Sequence, residues 1–237
     1  MKEYILFVDT ETSGLPKDWN ASYAEVDKWP YIVQLAWVVY HKSGKEVKSE
    51  NHFIKALDYR INPESEKIHG ISENMTLEKG ETRKRVLKKI YNDLKNYQPL
   101  IVGHLMEFDS HMLSVGFRRS GLKNIIKDYP LFCTMTATSS YRRNLNTQYP
   151  KLDELYQTLF KKKLENHHNA LEDAKATAAC FFELVKRKEI TDDTIKKQQK
   201  YFKKIKNNSK KTGCGLVLSA FYLFLLIGLI ITAYTLI

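Results

Sequence analysis

Residues Phe7–Pro16 read FVDTETSGLP: the end of an apolar run, two carboxylates one residue apart, then a Ser-Gly-Leu-Pro turn. The residues leading into it, Tyr4, Ile5, Leu6, Phe7 and Val8, look built for burial, as a short strand inside a sheet would be. In a strand, residues i and i+2 point to the same face, so Asp9 and Glu11 present two negative charges side by side. That arrangement is costly unless something positive neutralises it. It reads either as a solvated strand end entering a turn, or as a divalent-metal site, because hard cations such as Mg²⁺ take carboxylate oxygens.

A metal at Asp9 and Glu11 requires further oxygen ligands, and two other stretches offer them. In LIVGHLMEFDSHML, Asp109 follows the apolar run Leu100–Val102 and opens a helix, so it stands near a strand end; its alternative role is a helix N-cap. In NHHNALEDAKATAACFFEL, His168 lies just before an apolar-periodic helix and Asp173 falls within that helix's first two turns. Either residue alone reads equally as a cap or a surface group. Finding all five together, in this order, is what favours a site.

The first 185 residues alternate between strand and helix periodicity. Strands are expected at Ile5–Val8, Ile32–Tyr40 and Val47–Ile54, the last two joined by the turn His41-Lys42-Ser43-Gly44-Lys45, with further short strands at Leu100–Val102 and Leu131–Thr134. Helices are expected at Arg83–Tyr97, with an apolar stripe of Val86, Leu87, Ile90, Tyr91 and Leu94, and at about Asp109–Ser120, Lys151–Phe160 and Ala170–Arg187. A hairpin followed by helix and strand alternation implies a mixed α/β sheet covered by helices.

The net charge of +11 suggests a nucleic-acid partner until it is located along the chain. Residues 186–211 hold eleven Lys/Arg against three acids, which is +8 and leaves +3 for everything else. From Thr212 to Ile237 there is no charged residue, and Leu216–Ile237 is long enough to cross a hydrocarbon core, which needs roughly 20 helical residues. The expected organisation is therefore a domain over residues 1–190, a basic juxtamembrane segment over 191–211 and a transmembrane helix over 212–237. Lysines flanking such a helix mark the cytoplasmic side and favour anionic lipid, so the domain is expected in the cytoplasm, tethered by a C-terminal anchor with no leader before it. The same lysines could hold a polynucleotide electrostatically. Cys133, Cys180 and Cys214 form no C-x-x-C pair, which fits a reducing compartment without a disulfide framework.

The D-x-E of VDTETSGL, the Asp of GHLMEFD and the His-x4-Asp of HNALEDA resemble the three exonuclease motifs of the DEDDh family, 3'-to-5' exonucleases on the ribonuclease H-like fold. The proofreading epsilon subunit of bacterial DNA polymerase III belongs to that family. The resemblance runs from about Tyr4 to Leu184, with WPYIVQLAWVV similar to the family's second strand, IHGIS to the turn after its third, and KLDELYQTLF to its penultimate helix. It implies a five-stranded mixed sheet flanked by helices and two divalent ions, Mg²⁺ or Mn²⁺, on Asp9, Glu11, Asp109 and Asp173. His168 would be the general base, since only it, and not His167, has the family's four-residue gap to Asp173. Substrate would be gripped around Thr10, Thr12 and Leu15, with His69 and Phe108 on the facing segments. Trp19, Tyr23 and Trp29 are candidates for base stacking. The chain departs from the family at Leu105, which follows His104 where Asn is frequent, so no substrate contact carries over to that position.

The residue types suit the chemistry. In-line phosphodiester cleavage builds charge on the attacking and leaving oxygens, which two dications roughly 3.5 to 4 Å apart can stabilise. A histidine with an ordinary pKa near 6.5 can accept a proton at neutral pH. The resemblance implies DNA 3' ends, single-stranded or frayed, as substrate, RNA as the alternative, and a DNA polymerase as a candidate partner. A catalytically silent module that binds nucleic acid or polymerase is the reading from another class.

Overall fold

The computed structural model describes residues 1–142 and 147–209. Five strands form one sheet in the order β3-β2-β1-β4-β5. They are β1 (Tyr4–Thr12), β2 (Ile32–His41), β3 (Glu46–Phe53), β4 (Leu100–Gly103) and β5 (Leu131–Cys133). The first three pair antiparallel, while β1, β4 and β5 run parallel, which is the mixed sheet the sequence implies. Parallel neighbours need long crossovers, and helices supply them here. Between β3 and β4 lie α1 (Pro63–His69), α2 (Glu73–Lys79) and α3 (Arg83–Tyr97); α4 (Met106–Arg119) connects β4 to β5. After β5 come a single turn α5 (Thr134–Ala137), then α6 (Leu152–Phe160), α7 (Ala170–Lys186) and α8 (Asp192–Ser209).

Both faces of the sheet are covered, which explains the uninterrupted apolar run of β1. Leu6 and Val8 point into a core shared with α3 and α4 through Leu87, Ile90, Met112 and Phe117. Ile5 and Phe7 point into a second core with α6 and α7 through Leu155, Phe181 and Leu184. Burying a side chain of this size stabilises by about 1.5–3 kcal/mol relative to exposure, so the two cores fix the register of β1 and hence the faces of every residue that follows.

Three segments differ from the sequence expectation. β1 continues to Thr12 because it pairs with β2 as far as Ile32, with a register shift only between Glu11 and Thr12; Asp9 and Glu11 are therefore inside the strand. α4 begins at Met106, with Leu105 at its N-cap, so Asp109 sits in the first turn and is not a cap. IHGIS is a junction between two short helices: Gly70 ends α1 at φ +70°, which favours glycine, and Ser72 caps α2 by accepting from the Met75 N–H at 3.1 Å.

The packed body also runs past the expected boundary at residue 190. α8 lies along the free edge of β5: the Gln198 side chain accepts from the Cys133 N–H at 2.8 Å and donates to the Cys133 carbonyl at 2.9 Å. Ile190 and Ile195 are buried in the core shared with α7, and Phe202 packs on the opposite core. An open edge invites pairing with another chain, and α8 closes it. Cys133 and Cys180 are free and buried. Among the described residues no helix is long and apolar enough to cross a membrane; the expected membrane span, 212–237, and Cys214 lie outside them.

Candidate active site

Strand alternation assembles the site from two sides. Asp9 and Glu11 continue the face of Ile5 and Phe7, toward α7, where Asp173 waits in the helix's first turn. Thr10 continues the opposite face, toward α4, and its hydroxyl donates to Asp109 Oδ1 at 2.8 Å. Asp109 reaches the same end of the sheet by folding back over Gly103, the last residue of β4. A Cβ built on Gly103 would stand 3.0 Å from Asp109 Oδ2 and 3.3 Å from Met106 Cα, so the absence of a side chain there lets the carboxylate in.

Burial raises the proton affinity of all four carboxylates, and the charges of their neighbours raise Asp9 and Glu11 further. Asp9 is raised well above its ordinary value, first by burial and then by the charges of Asp109, Glu11 and Asp173. Glu11 is pushed up to about 8 by burial and by Asp173 and Asp109. Burial pushes Asp109 up to about 7 against the bond from Thr10, and Asp173 to about 6 against the bond from the His168 N–H. No lysine or arginine is among the causes of these shifts. Asp173 Oδ1 is buried and has no hydrogen-bond partner, while its Oδ2 accepts from the His168 N–H at 2.9 Å. Mutually repelling acids with an orphaned, inward oxygen are the environment a dication relieves.

His168 completes the group. One ligand atom each from Glu11, His168 and Asp173 lie within 4.8 Å of one another. The histidine is on the exposed approach to α7, with φ at +66°, a left-handed conformation that costs a non-glycine residue about 1–2 kcal/mol. Its N–H bond to Asp173 and the Asn169 cap on the Leu171 N–H hold that conformation. Although its ring reaches solvent, the surrounding protein and then His167 keep its pKa below the ordinary value, so it stands neutral at pH 7 and free to accept a proton. The His167 ring lies edge-on at 4.3 Å.

The expected substrate-side residues take varied places. Leu15 is 47% exposed beside the site, and Phe108, adjacent to Asp109, is half-buried against Trp19 at 5.8 Å. The Thr12 hydroxyl is committed to the Gly14 carbonyl at 2.8 Å, and the Thr10 hydroxyl to Asp109. His69 accepts from the Ile71 N–H through Nδ1 and faces the Thr12 carbonyl through Nε2 at 3.3 Å, bracing the turn after β1. Of the three aromatics expected to stack bases, Trp29 does not: it is 3% exposed and stacks on His111 at 5.0 Å within the core. Tyr23 is half-buried with its hydroxyl 2.9 Å from His111 Nδ1. Trp19 is also half-buried, packed on Phe108 and edge-on against His111 at 6.1 Å.

Two supporting residues escape the sequence reading. Gln34, fully buried opposite Glu11 in β2, accepts from the Ala170 N–H at 3.2 Å and donates to Asn51 at 2.8 Å, tying the start of α7 to the sheet. Its signal is a lone amide in IVQLAWVV. Arg119 donates to the carbonyls of Val26 at 2.6 Å and Trp29 at 2.7 Å and covers Tyr31 at 3.6 Å, pinning the loop that carries Trp19. At the end of a helix it reads as an ordinary basic terminus.

The sequence pattern of the exonuclease (RNase_T) family matches residues 6–181. No curated protein sequence matches the chain. Among solved structures, the fold is similar to E. coli exonuclease I in complex with a dT13 oligonucleotide: TM-score 0.65 at 20% identity, covering 78% of this chain and 41% of that one. It is also similar to the exonuclease I structure that suggests how processivity is achieved, with TM-score 0.64 at 20% identity, covering 77% of this chain and 41% of that one. The zinc-bound form of the E. coli enzyme with single-stranded DNA gives a TM-score of 0.62 at 20% identity, covering 79% of this chain and 41% of that one. The chain thus spans about two fifths of the length of the proteins whose fold it shares.

Proposed function

This chain belongs to the exonuclease (RNase_T) family, and from that premise we propose that it is a metal-dependent 3'-to-5' exonuclease of the DEDDh type acting on single-stranded or frayed DNA ends. The observation that carries the reading is the meeting of Asp9, Glu11, Asp109 and Asp173, close enough that the charges of Asp109 and Asp173 raise the pKa of Asp9 and Glu11, with His168 beside Glu11 and Asp173. The choice of DNA is supported by the epsilon-like motifs and by the oligonucleotides carried by E. coli exonuclease I of similar fold.

Asp9, Glu11, Asp109 and Asp173 would hold two Mg²⁺ or Mn²⁺ ions. When bound, the ions supply Lewis-acid stabilisation of the charge that develops on the attacking and leaving oxygens. The chain's own residues do the rest. His168, neutral and open to solvent, takes the proton from the attacking water; Thr10 holds Asp109 in position by its 2.8 Å bond, and Gln34 and Asn169 fix the start of α7 and with it Asp173. Leu15, Phe108 and Trp19 form the apolar wall on which the terminal bases are held apart. The uncharged segment 212–237 anchors the domain to a membrane, and the basic residues before it place the domain on the cytoplasmic side.

The test is digestion of 5'-labelled single-stranded DNA and RNA of matched sequence by the full chain with Mg²⁺ or Mn²⁺, beside Asp9→Ala and His168→Ala. A descending ladder on DNA, abolished by EDTA and by either substitution, is the expected result. Preference for RNA would move the substrate to the exoribonuclease reading, and no cleavage of either by folded protein would overturn the enzyme. Recovery of intact full-length chain in the soluble fraction of cells would overturn the anchor.

A further inference from the structure

Helix α8 begins at the far end of the sheet and travels toward the carboxylates. Asp192 pairs with the terminal amine of Met1, and Ile195, Lys196 and Gln199 line a cleft of about 410 Å³ with Met1, Lys2, Leu100 and Pro130, which precede or open β1, β4 and β5. Two turns later Gln198 holds Cys133, the last residue of β5, which pairs with Gly103. Since Phe7 pairs with Val102, Gly103 lies level with Val8, one residue short of Asp9. Gln198 therefore brings α8 level with the strand ends beside Asp9, and the helix continues from there to Ser209.

The helix presents a one-signed face along this course. Ile195 and Gln198 are turned to the sheet edge, while Lys196, Lys197 and Lys200 are exposed. Lys203 and Lys204 follow three and four residues after Lys200 in the sequence of the same helix. No acid stands anywhere from Thr194 to Ser209. Lys196 with Lys200 and Lys200 with Lys204 are like-charged i,i+4 pairs, each unfavourable by about 0.2–0.5 kcal/mol in an isolated helix, where a glutamate would have been favourable. Such a stripe complements a polyanion running alongside it.

We propose that the outer face of α8 is a basic arm that binds the phosphate backbone of the polynucleotide upstream of the nucleotide being removed. This rests on the exonuclease reading above and adds to it a length requirement. The arm stands two strand spacings, about 10 Å, plus the width of a helix from β1. At about 3.4 Å of axis per stacked nucleotide, a trinucleotide covers about 10 Å and falls short of it, whereas a 20-mer passes it. The arm therefore acts on KM for long substrates and leaves turnover of short ones alone.

The test uses the full chain carrying Lys197→Gln, Lys200→Gln and Lys204→Gln together, with Lys→Arg at the same three positions as the charge-preserving control. Binding of a fluorescent single-stranded 20-mer, read by anisotropy in Ca²⁺ across a salt series, should weaken several-fold, and the slope of log K against log salt should fall by about 2, or about 0.7 for each lost phosphate contact. The Arg variant should match the unaltered chain, and kcat on a trinucleotide should be the same for all three. Unchanged affinity and slope in the Gln variant would overturn the arm. So would intact 20-mer binding with lost flotation on phosphatidylserine vesicles, which would assign the face to lipid. A chain that binds the 20-mer through the arm yet cleaves nothing would overturn the exonuclease reading and leave the arm standing.

Discussion

The carboxylate cluster predicts a metal-free domain that weakens as pH rises. For an acid whose folded pKa is raised, the folded state binds the proton more tightly than the unfolded state does. No penalty exists below the unfolded pKa, it grows as pH climbs toward the folded pKa, and it is complete above that. Here the window runs from about 4, where free carboxylates titrate, to about 8, where Glu11 does. Moving Asp109 from 3.8 to about 7 corresponds to about 4 kcal/mol at 1.36 kcal/mol per tenfold change in proton affinity, and Glu11 gives a similar figure. Above pH 5 about 2 of these pH units remain for Asp109 and about 3 for Glu11, or about 3 and about 4 kcal/mol. The Glu11 shift already includes the Asp109 charge, so the two do not add in full and the expected loss between pH 5 and 8.5 is about 4–6 kcal/mol, a large part of a stability that is about 5–15 kcal/mol for domains generally. The assay is urea denaturation followed by circular dichroism, in EDTA, at pH 5 and pH 8.5. Unfolding free energy should drop by that amount between the two, and millimolar Mn²⁺ should restore it at pH 8.5 while doing little at pH 5. Glu11→Gln should reduce the pH dependence in EDTA, and Asp9→Asn should remove the response to Mn²⁺. A stability that is level from pH 5 to 8.5 in EDTA and indifferent to Mn²⁺ would refute the reasoning, because four buried charges that repel one another cannot be silent in both measurements.

Other perturbations separate the site from its scaffold. Gly103→Ala puts a Cβ 3.0 Å from Asp109 Oδ2; nuclease activity should fall about 10- to 100-fold while thermal unfolding shows a cost of only about 1–3 kcal/mol. Trp37→Phe removes the 2.8 Å bond from the indole N–H to buried Asp93 and should cost about 2 kcal/mol in urea denaturation, with kcat unchanged because the bond lies between β2 and α3, away from the carboxylates. Gln198→Leu strips the side-chain partner from the Cys133 N–H, leaving the carbonyl to the Thr136 hydroxyl at 3.2 Å, and should cost about 1–3 kcal/mol, with amide exchange at Cys133 accelerated before exchange elsewhere in β5.

What the sequence made legible follows from how narrow each physical demand is. Burial on both faces requires a continuous apolar strand, so Tyr4–Val8 and Ile32–Tyr40 could be recognised and a mixed sheet covered by helices inferred, whereas the strand order is read only from the structure. A dication requires carboxylates, so Asp9, Glu11, Asp109 and Asp173 announced themselves by type and spacing, and the fold brings their charges within reach of one another. Demands met by many residues leave no such mark. A lysine-rich run such as 186–211 reads the same whether it is a solvated tether or a helix, and only the placement of Ile195 and Gln198 against β5 makes α8 part of the packed body. The aromatics of the loop after β1 are similar: Trp19, Tyr23 and Trp29 are equivalent as letters, yet all three meet His111, two residues past Asp109, Trp29 by stacking, Tyr23 by a hydrogen bond and Trp19 edge-on at 6.1 Å, and of the three only Trp29 is closed off from solvent. Burial pushes the pKa of His111 to about 4, so it remains an uncharged ring that an apolar wall can accept. The same helix turn that supplies a carboxylate to the site therefore also gathers these aromatics, and which of them is buried depends on three-dimensional neighbours that no spacing in the sequence encodes.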